Sequence, residues 1–178
     1  MERLTPDQIV DSVLALSPDW FRARGLCALI LDLDNTLVPY GGRKPSADVL
    51  AHVGLLVAGG IKAAILSNAG PYRTRSAAAE LGIPFVAHAG KPGLRGYRSV
   101  LQAMASRPEQ TAAVGDQVFR DVLGAKSAGC YAVLVRPLSP RDFPGTRLLR
   151  LPERLLLNYL ARQRATPVPR PVPPSGPA

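Results

Sequence analysis

Two aspartates, Asp32 and Asp34, stand directly after an apolar stretch at residues 26–31. At an extended strand end, residues i and i+2 project to the same side, so both carboxylates face one space. One carboxylate can attack phosphorus and form an aspartyl-phosphate, which divides hydrolysis into two easier steps. The other can protonate the leaving oxygen and later deprotonate water. The pair therefore predicts phosphoryl chemistry.

Further polar residues follow three other apolar stretches, and each has a role in such a reaction. A lysine can neutralise charge on the nucleophile and the phosphoryl group, and a serine hydroxyl can hydrogen-bond the phosphoryl oxygens. Additional carboxylates can complete a site for Mg²⁺, which prefers oxygen ligands. The residues concerned are Ser67 and Asn68, Lys91, Asp116 in Gly115-Asp116-Gln117, and Asp121.

Other interpretations of single motifs remain open or fail. The Asp-x-Asp-x-Thr stretch begins like a calcium loop, but Leu37 stands where that loop needs glycine and Arg43 where it needs glutamate. A phosphate-binding P-loop fails because Ala125 precedes the Lys-Ser pair. Ser67 could instead cap a helix. Asp121 could instead be an acidic residue favoured by a helix N-terminus.

The elements that must position these residues alternate between strand and helix. This alternation predicts an α/β fold, a doubly wound, mainly parallel five-stranded sheet with helices on both faces. In such sheets ligands bind outside the carboxyl ends of the strands, where all the polar residues named above are expected. The predicted strands are 26–32, 61–66, 85–87, 111–114 and 131–135, and the predicted helices are 6–24, 45–58, 71–81, 96–106 and 119–128.

Composition and charge bound the setting of this chemistry. The chain has 178 residues, 47% of them hydrophobic, and a formal charge of +9. Residues 136–178 hold 8 arginines against two acidic residues, so the positive charge is concentrated there. No apolar stretch is long enough to span a membrane, and the N-terminus lacks the pattern of a secretory signal. Cys27 and Cys130 are predicted to be core thiols, which fits a cytoplasmic location.

The four motifs together resemble those of the haloacid-dehalogenase (HAD) superfamily, in the same order. The residues within these motifs are similar to those of the YqeG branch of HAD subfamily IIIA, whose eukaryotic relatives include the mitochondrial phosphatidylglycerophosphate phosphatases. The resemblance covers about residues 6–164. It rests on Asp-Asn-Thr-Leu-Val-Pro at 34–39, Leu-Ser-Asn at 66–68, Ala-Gly-Lys-Pro at 89–92 and Val-Gly-Asp-Gln at 114–117.

The resemblance assigns roles to individual residues. It implies a Mg²⁺-dependent phosphatase with Asp32 as nucleophile and Asp34 as acid/base residue. It implies that Ser67 and Lys91 bind phosphate, and we predict that Asn68, next to Ser67, binds phosphate as well. The implied Mg²⁺ ligands are Asp32, Asp34 through its backbone carbonyl, and Asp116, with Asp121 in support. One departure is Arg120, where the family commonly has threonine before the last aspartate.

The expected partners follow from the open site and the basic C-terminus. About thirty residues separate Thr36 from Ser67, too few for a cap domain. An open site suits a bulky phosphomonoester such as a phospholipid headgroup, and the resemblance suggests phosphatidylglycerophosphate. A predicted basic helix at 147–164 could contact the anionic inner membrane surface or pack on the sheet. It would belong to a single domain at 1–164, followed by a proline-rich, disordered tail at 165–178.

A second function class stays open at this point. The chain could be a basic HAD-like scaffold that binds RNA or a ribosome-associated partner, with vestigial catalysis. No aromatic-basic stacking pattern or RNA motif supports that hypothesis. No DNA partner is expected, and the oligomeric state is open.

Overall fold

The computed structural model describes residues 2–140 together with Pro152, Glu153 and Leu155. Within this part of the chain, six parallel strands form one sheet in the order β1-β6-β5-β2-β3-β4. The doubly wound parallel architecture is therefore confirmed, with one strand more than predicted. The strands are β1 Gln8–Val10, β2 Ala28–Leu31, β3 Lys62–Leu66, β4 Phe85–Val86, β5 Thr111–Gly115 and β6 Tyr131–Val135.

Helices cover both faces of the sheet, and the central strand shows why. In β2, Leu29 and Leu31 belong to one hydrophobic cluster, whereas Ala28 and Ile30 belong to another on the opposite face. Because successive strand residues alternate in direction, an all-apolar strand needs both faces covered. Helices α1 Pro18–Arg22, α2 Ala47–Ala58 and α3 Pro71–Leu81 contribute to the first cluster, and α4 Leu94–Ala103 and α5 Leu123–Ala128 to the second.

Local signals explain where several elements begin and end. The Ser46 hydroxyl accepts a hydrogen bond from the Val49 amide and caps α2. Helix α3 begins at Pro71 and ends before Gly82, whose φ of 65° is the left-handed conformation that glycine adopts without a Cβ clash. Both ends of α3 and both ends of β6 lie where the sequence predicts them.

The predicted helix at residues 6–24 is wrong. This segment contains the edge strand β1, a 3₁₀ turn at Val13–Ala15 and the short helix α1. Ser12 and Ser17 each accept a backbone hydrogen bond that starts a new helical turn, and such caps interrupt a continuous helix. The apolar spacing of this segment therefore reflects a strand and two turns rather than one helical face.

Three further expectations can be compared with the fold. Between β2 and β3 the only helix is α2, and between β3 and β4 it is α3, so residues 2–140 carry no inserted cap domain. Cys130 is buried as predicted, but Cys27, directly before β2, is exposed and is not the predicted core thiol; neither cysteine forms a disulfide. The helices of the described residues include none that is long and apolar enough to cross a membrane.

The basic helix predicted at 147–164 lies mostly outside the described residues, and the tail predicted at 165–178 lies entirely outside them. Within the C-terminal part, Glu153 is buried, and its Oε1 accepts a hydrogen bond of 3.2 Å from the Phe119 amide. Phe119 follows β5 on the side of the sheet that carries the polar motifs. One point of the C-terminal segment therefore contacts that edge.

Candidate active site

A compact turn at the end of β2 positions the first motif. The amides of Leu37 and Val38 both donate to the Leu33 carbonyl at 3.0 Å. Asn35 adopts a φ of 60°, a left-handed conformation in which asparagine is enriched. Its amide donates to the Val38 carbonyl at 2.7 Å. The turn reverses the chain directly after the strand, so that Asp32 is held at the carboxyl edge of the sheet.

Lys91 joins two of the predicted acidic residues. Its Nζ donates to Asp32 Oδ1 at 2.5 Å and to Asp121 Oδ1 at 2.6 Å. All three side chains are less than one tenth exposed. We call Asp32, Lys91 and Asp121 the inner cluster. A buried ion pair is held in place because separating its charges would leave each of them desolvated without a partner.

Asp116 comes directly after β5, and Asp121 comes five residues later. Oxygen atoms of Asp32, Asp116 and Asp121, all buried, lie within 4.8 Å of one another. The second oxygen of Asp121 accepts a hydrogen bond of 3.1 Å from the Gln117 amide. A Cβ added at Gly115 would lie 2.2 Å from Asp121 Cγ, so a glycine is needed there for the carboxylate to approach.

Burial and charge act in opposite directions on the inner cluster. Burial raises the pKa of Asp32 to about 7, and the Lys91 ammonium opposes this rise. Burial alone would lower the pKa of Lys91, but the carboxylates of Asp121 and Asp32 outweigh it and raise the pKa. Lys91 therefore stays charged and favours the ionised form of Asp32, which is the form that can act as a nucleophile.

The three carboxylates have the donor chemistry of a divalent cation site. Together they carry up to three negative charges against one from Lys91, and crowded buried carboxylates are stabilised by a cation. Their ligand atoms are all hard oxygens within one small space. The residues present therefore fit an ion such as Mg²⁺. The side chain of Asp34 is outside this group, which leaves its backbone carbonyl as the predicted ligand.

Ser67 and Asn68 lie at the end of β3, beside the inner cluster. Ser67 is buried, and its hydroxyl oxygen accepts a hydrogen bond of 3.0 Å from the Ala69 amide. The Asn68 side chain bonds the backbone of Lys91 in both directions, accepting from its amide at 2.8 Å and donating to its carbonyl at 3.1 Å. Asn68 thus ties the loop that carries Lys91 to the end of β3.

Asp34 has a partner that sequence reasoning missed. The Arg73 guanidinium donates to both oxygens of its carboxylate, at 2.5 and 3.1 Å. Arg73 is the third residue of α3, where a positive charge is disfavoured by the helix dipole. This unfavourable position was a signal in the sequence that Arg73 serves another purpose. The Tyr97 hydroxyl, which donates to the Asp121 carbonyl at 3.1 Å, was also missed.

Except for Asp116, which lies with Asp32 and Asp121 in the carboxylate group, the predicted residues line one small cleft, and Gln117 and Arg120 line it as well. Its volume is about 40 Å³, enough for a few waters or a small group and far below the roughly 300 Å³ of pockets that enclose whole ligands. A larger cavity of about 470 Å³ lies near the N-terminus, between Glu2 and Lys126. That cavity has none of the motif residues, so the smaller cleft is the candidate site.

Comparisons with known proteins identify hydrolases and phosphatases. The HAD-hydrolase-like family matches residues 88–137. The chain is 32% identical to the probable phosphatase YqeG of Bacillus subtilis over 158 residues, which is 89% of this chain and 92% of that protein. It is also 41% identical to a phosphoserine phosphatase of Thermus thermophilus over 75 residues, 40% of this chain and 30% of that protein.

The fold has a solved counterpart. The chain is similar to the cobalt-bound deoxy-D-mannose-octulosonate 8-phosphate phosphatase YrbI of Haemophilus influenzae, with a TM-score of 0.53 and 21% identity over 63% of this chain and 69% of that one. This likeness concerns the fold. The match to YqeG over nearly the whole length of both chains carries the assignment: this chain is a phosphatase of the HAD superfamily and belongs to its YqeG branch.

Proposed function

We propose that the protein hydrolyses a phosphomonoester with the help of Mg²⁺ and through an aspartyl-phosphate on Asp32. The observation that carries this proposal is the inner cluster together with Asp116: three buried carboxylates after β2 and β5, and a lysine from the loop after β4. The arrangement supplies a nucleophile, a fixed positive charge and a set of oxygen ligands within one cleft.

In the first step, a carboxylate oxygen of Asp32 attacks phosphorus, and the bond from phosphorus to the ester oxygen breaks. Asp34 enters this step in its protonated form and gives that proton to the departing oxygen, which leaves as an alcohol. The phosphoryl group remains on Asp32 as a mixed anhydride. Lys91 offsets negative charge on the phosphoryl oxygens, and the Ser67 hydroxyl donates a hydrogen bond to them.

In the second step, water attacks the same phosphorus and gives a proton to Asp34. The bond from phosphorus to the Asp32 oxygen breaks, inorganic phosphate leaves, and both aspartates return to their starting state. The residues that would hold Mg²⁺ are Asp32, Asp116 and the Asp34 carbonyl, with Asp121 in support. When bound, the ion would supply positive charge that brings the anionic phosphate and the carboxylates together.

The test measures p-nitrophenyl phosphate turnover with and without Mg²⁺. We expect activity that EDTA abolishes and Mg²⁺ restores, and a fall in kcat of about 10⁵-fold in Asp32→Asn. Asp48→Asn, an exposed residue of α2, is the matched control and keeps full activity. Undiminished turnover in Asp32→Asn would refute the covalent mechanism. Absent turnover with salt-sensitive RNA binding would favour the scaffold function instead.

The substrate that we propose is a bulky phosphomonoester, with phosphatidylglycerophosphate as the first candidate. The cleft admits little more than the phosphoryl group, and no cap covers it within residues 2–140. Arg120 lines the cleft beside Asp121 and offers a positive charge to a second anionic group. The resemblance to the branch that includes phosphatidylglycerophosphate phosphatases points to the same substrate.

This substrate proposal has its own test. We expect phosphate release from phosphatidylglycerophosphate in vesicles, with a kcat/KM well above that for short-chain glycerol phosphates. Arg120→Thr should lower kcat/KM for the lipid more than for p-nitrophenyl phosphate. Turnover of small phosphomonoesters without release from the lipid would exclude the lipid substrate and leave the phosphatase function in place.

A further inference from the structure

Arg73 makes more contacts than an ion pair with Asp34 requires. Its Nε and Nη2 also donate to the Gly42 carbonyl, at 3.1 and 2.8 Å. Gly42 is the last residue of a turn at residues 39–42. Its amide closes this turn by donating to the Pro39 carbonyl at 2.8 Å. One guanidinium thus connects the first turn of α3, the carboxylate of Asp34 and the turn at residues 39–42.

The turn at residues 39–42 is also hydrogen-bonded to the first motif. The Gly41 amide donates to Asp34 Oδ1 at 3.2 Å, and the Tyr40 amide donates to Asn35 Oδ1 at 3.1 Å. A Cβ at Gly42 would lie 2.9 Å from the Pro39 carbonyl oxygen, so the turn is closed too tightly for a side chain there. Asp34 is therefore held from two sides, by a backbone amide and by a planar fork of donors.

From these contacts we propose that Arg73 is a positioning residue for Asp34 in phosphoryl transfer. The bidentate fork fixes both the place and the plane of the carboxylate, and the bonds to Gly42 fix the fork. A single ammonium could not hold both groups in this way. The inference rests on the proposed function, because it assumes that Asp34 gives its proton to the leaving oxygen.

The consequence concerns the leaving group. A leaving oxygen of high basicity needs a well-placed acid, whereas a nitrophenolate departs almost without one. A misplacement of about 1 Å can cost on the order of 100-fold in rate. Loss of Arg73 should therefore slow the hydrolysis of alkyl phosphates about 100-fold and that of p-nitrophenyl phosphate by only a few fold.

The experiment measures kcat/KM for a series of aryl and alkyl phosphates whose leaving groups differ in basicity. This constant includes only the steps up to departure of the leaving group. We expect a shallow dependence on leaving-group basicity in the wild type and a steep one in Arg73→Ala and Asp34→Asn. The double variant should be no steeper than Asp34→Asn alone. Arg75→Ala, an exposed arginine of the same helix, is the matched control and should match the wild type.

Two conservative variants separate positioning from folding. Arg73→Lys keeps the charge and Arg73→Gln keeps one donor group, so each should give an intermediate slope even where Arg73→Ala folds poorly. The proposal would be overturned if kcat/KM depended on leaving-group basicity with the same slope in the wild type and all Arg73 variants. It would also be overturned if the losses in kcat/KM of the two single variants multiplied in the double variant. A wild type without turnover, or an Asp32→Asn variant with full turnover, would instead overturn the proposed function on which it rests.

Discussion

Two ion pairs of the candidate site, one through Asp32 and one through Asp34, have the same N···O distance of 2.5 Å but differ in their surroundings. In the inner cluster, the Lys91 and Asp32 side chains are 4% and 9% exposed. In the outer pair, Arg73 and Asp34 are 25% and 20% exposed. Since water screens charge, equal geometry gives unequal energy. In the inner cluster, burial raises the pKa of Asp32 and the two carboxylates raise the pKa of Lys91. The difference separates a buried charge cluster, which we propose carries the chemistry, from a partly exposed pair, which we propose orients Asp34.

The largest effect on stability is expected when the inner cluster loses the positive charge of Lys91. Lys91→Met would leave Asp32 and Asp121 buried without this partner, and breaking such a pair costs about 3 to 5 kcal/mol. Urea unfolding of the metal-free protein measures the change. The double variant Lys91→Met/Asp121→Asn removes one of the stranded charges and should recover part of the loss. If Lys91→Met had the unfolding free energy of the wild type, burial would not set the contribution of this pair to stability.

An intermediate effect is expected at Gly115. In Gly115→Ala the new methyl group would displace the Asp121 carboxylate, and overpacking of this kind costs about 1 to 3 kcal/mol. Turnover should fall about 100-fold because Asp121 moves away from Lys91. Gly54→Ala is the matched control: it lies in α2 with open space around it and should stabilise the protein slightly. Equal unfolding free energies for both variants would contradict the close approach.

A smaller effect on stability is expected in the outer pair. Arg73→Ala should lower the free energy of unfolding by about 1 to 2 kcal/mol, less than Lys91→Met, because this pair is partly exposed and water can reach the freed Asp34 carboxylate. The same variant should lose much of its activity on alkyl phosphates, so we expect stability and activity to diverge here. Thermal unfolding and the leaving-group series, measured on one preparation, test this divergence. A stability loss as large as that of Lys91→Met would contradict the distinction between the inner cluster and the outer pair.

The smallest effect is expected on the protein surface. Arg22 and Asp19 in α1 also approach to 2.5 Å, but their side chains are 78% and 82% exposed. Arg22→Ala should change neither the unfolding free energy nor turnover measurably, since exposed pairs contribute little. The variant completes a series of three pairs with equal distance and increasing exposure. A loss comparable to that of Arg73→Ala would show that distance rather than burial sets the energy.

Sequence patterns predicted the part of the fold that local signals specify. The strand at Tyr131–Val135 and the helix at Pro71–Leu81 were predictable because apolar runs, a helix-starting proline and a terminating glycine act over a few residues. The segment 6–24 was not, because its strand is only three residues long and gains its hydrogen bonds from β6, more than a hundred residues away. A short strand without its neighbour has no distinctive pattern.

The sequence by itself determined the chemistry of this protein: the residue types at four strand ends and their order along the chain. Only the tertiary structure decided which of them touch. Asp34 meets Arg73 across 39 positions, and Lys91 meets Asp32 across 59. Asn68, predicted to bind phosphate, holds the Lys91 backbone. Such partners are set by how the crossovers return each strand to the sheet, and local periodicity contains no record of that geometry.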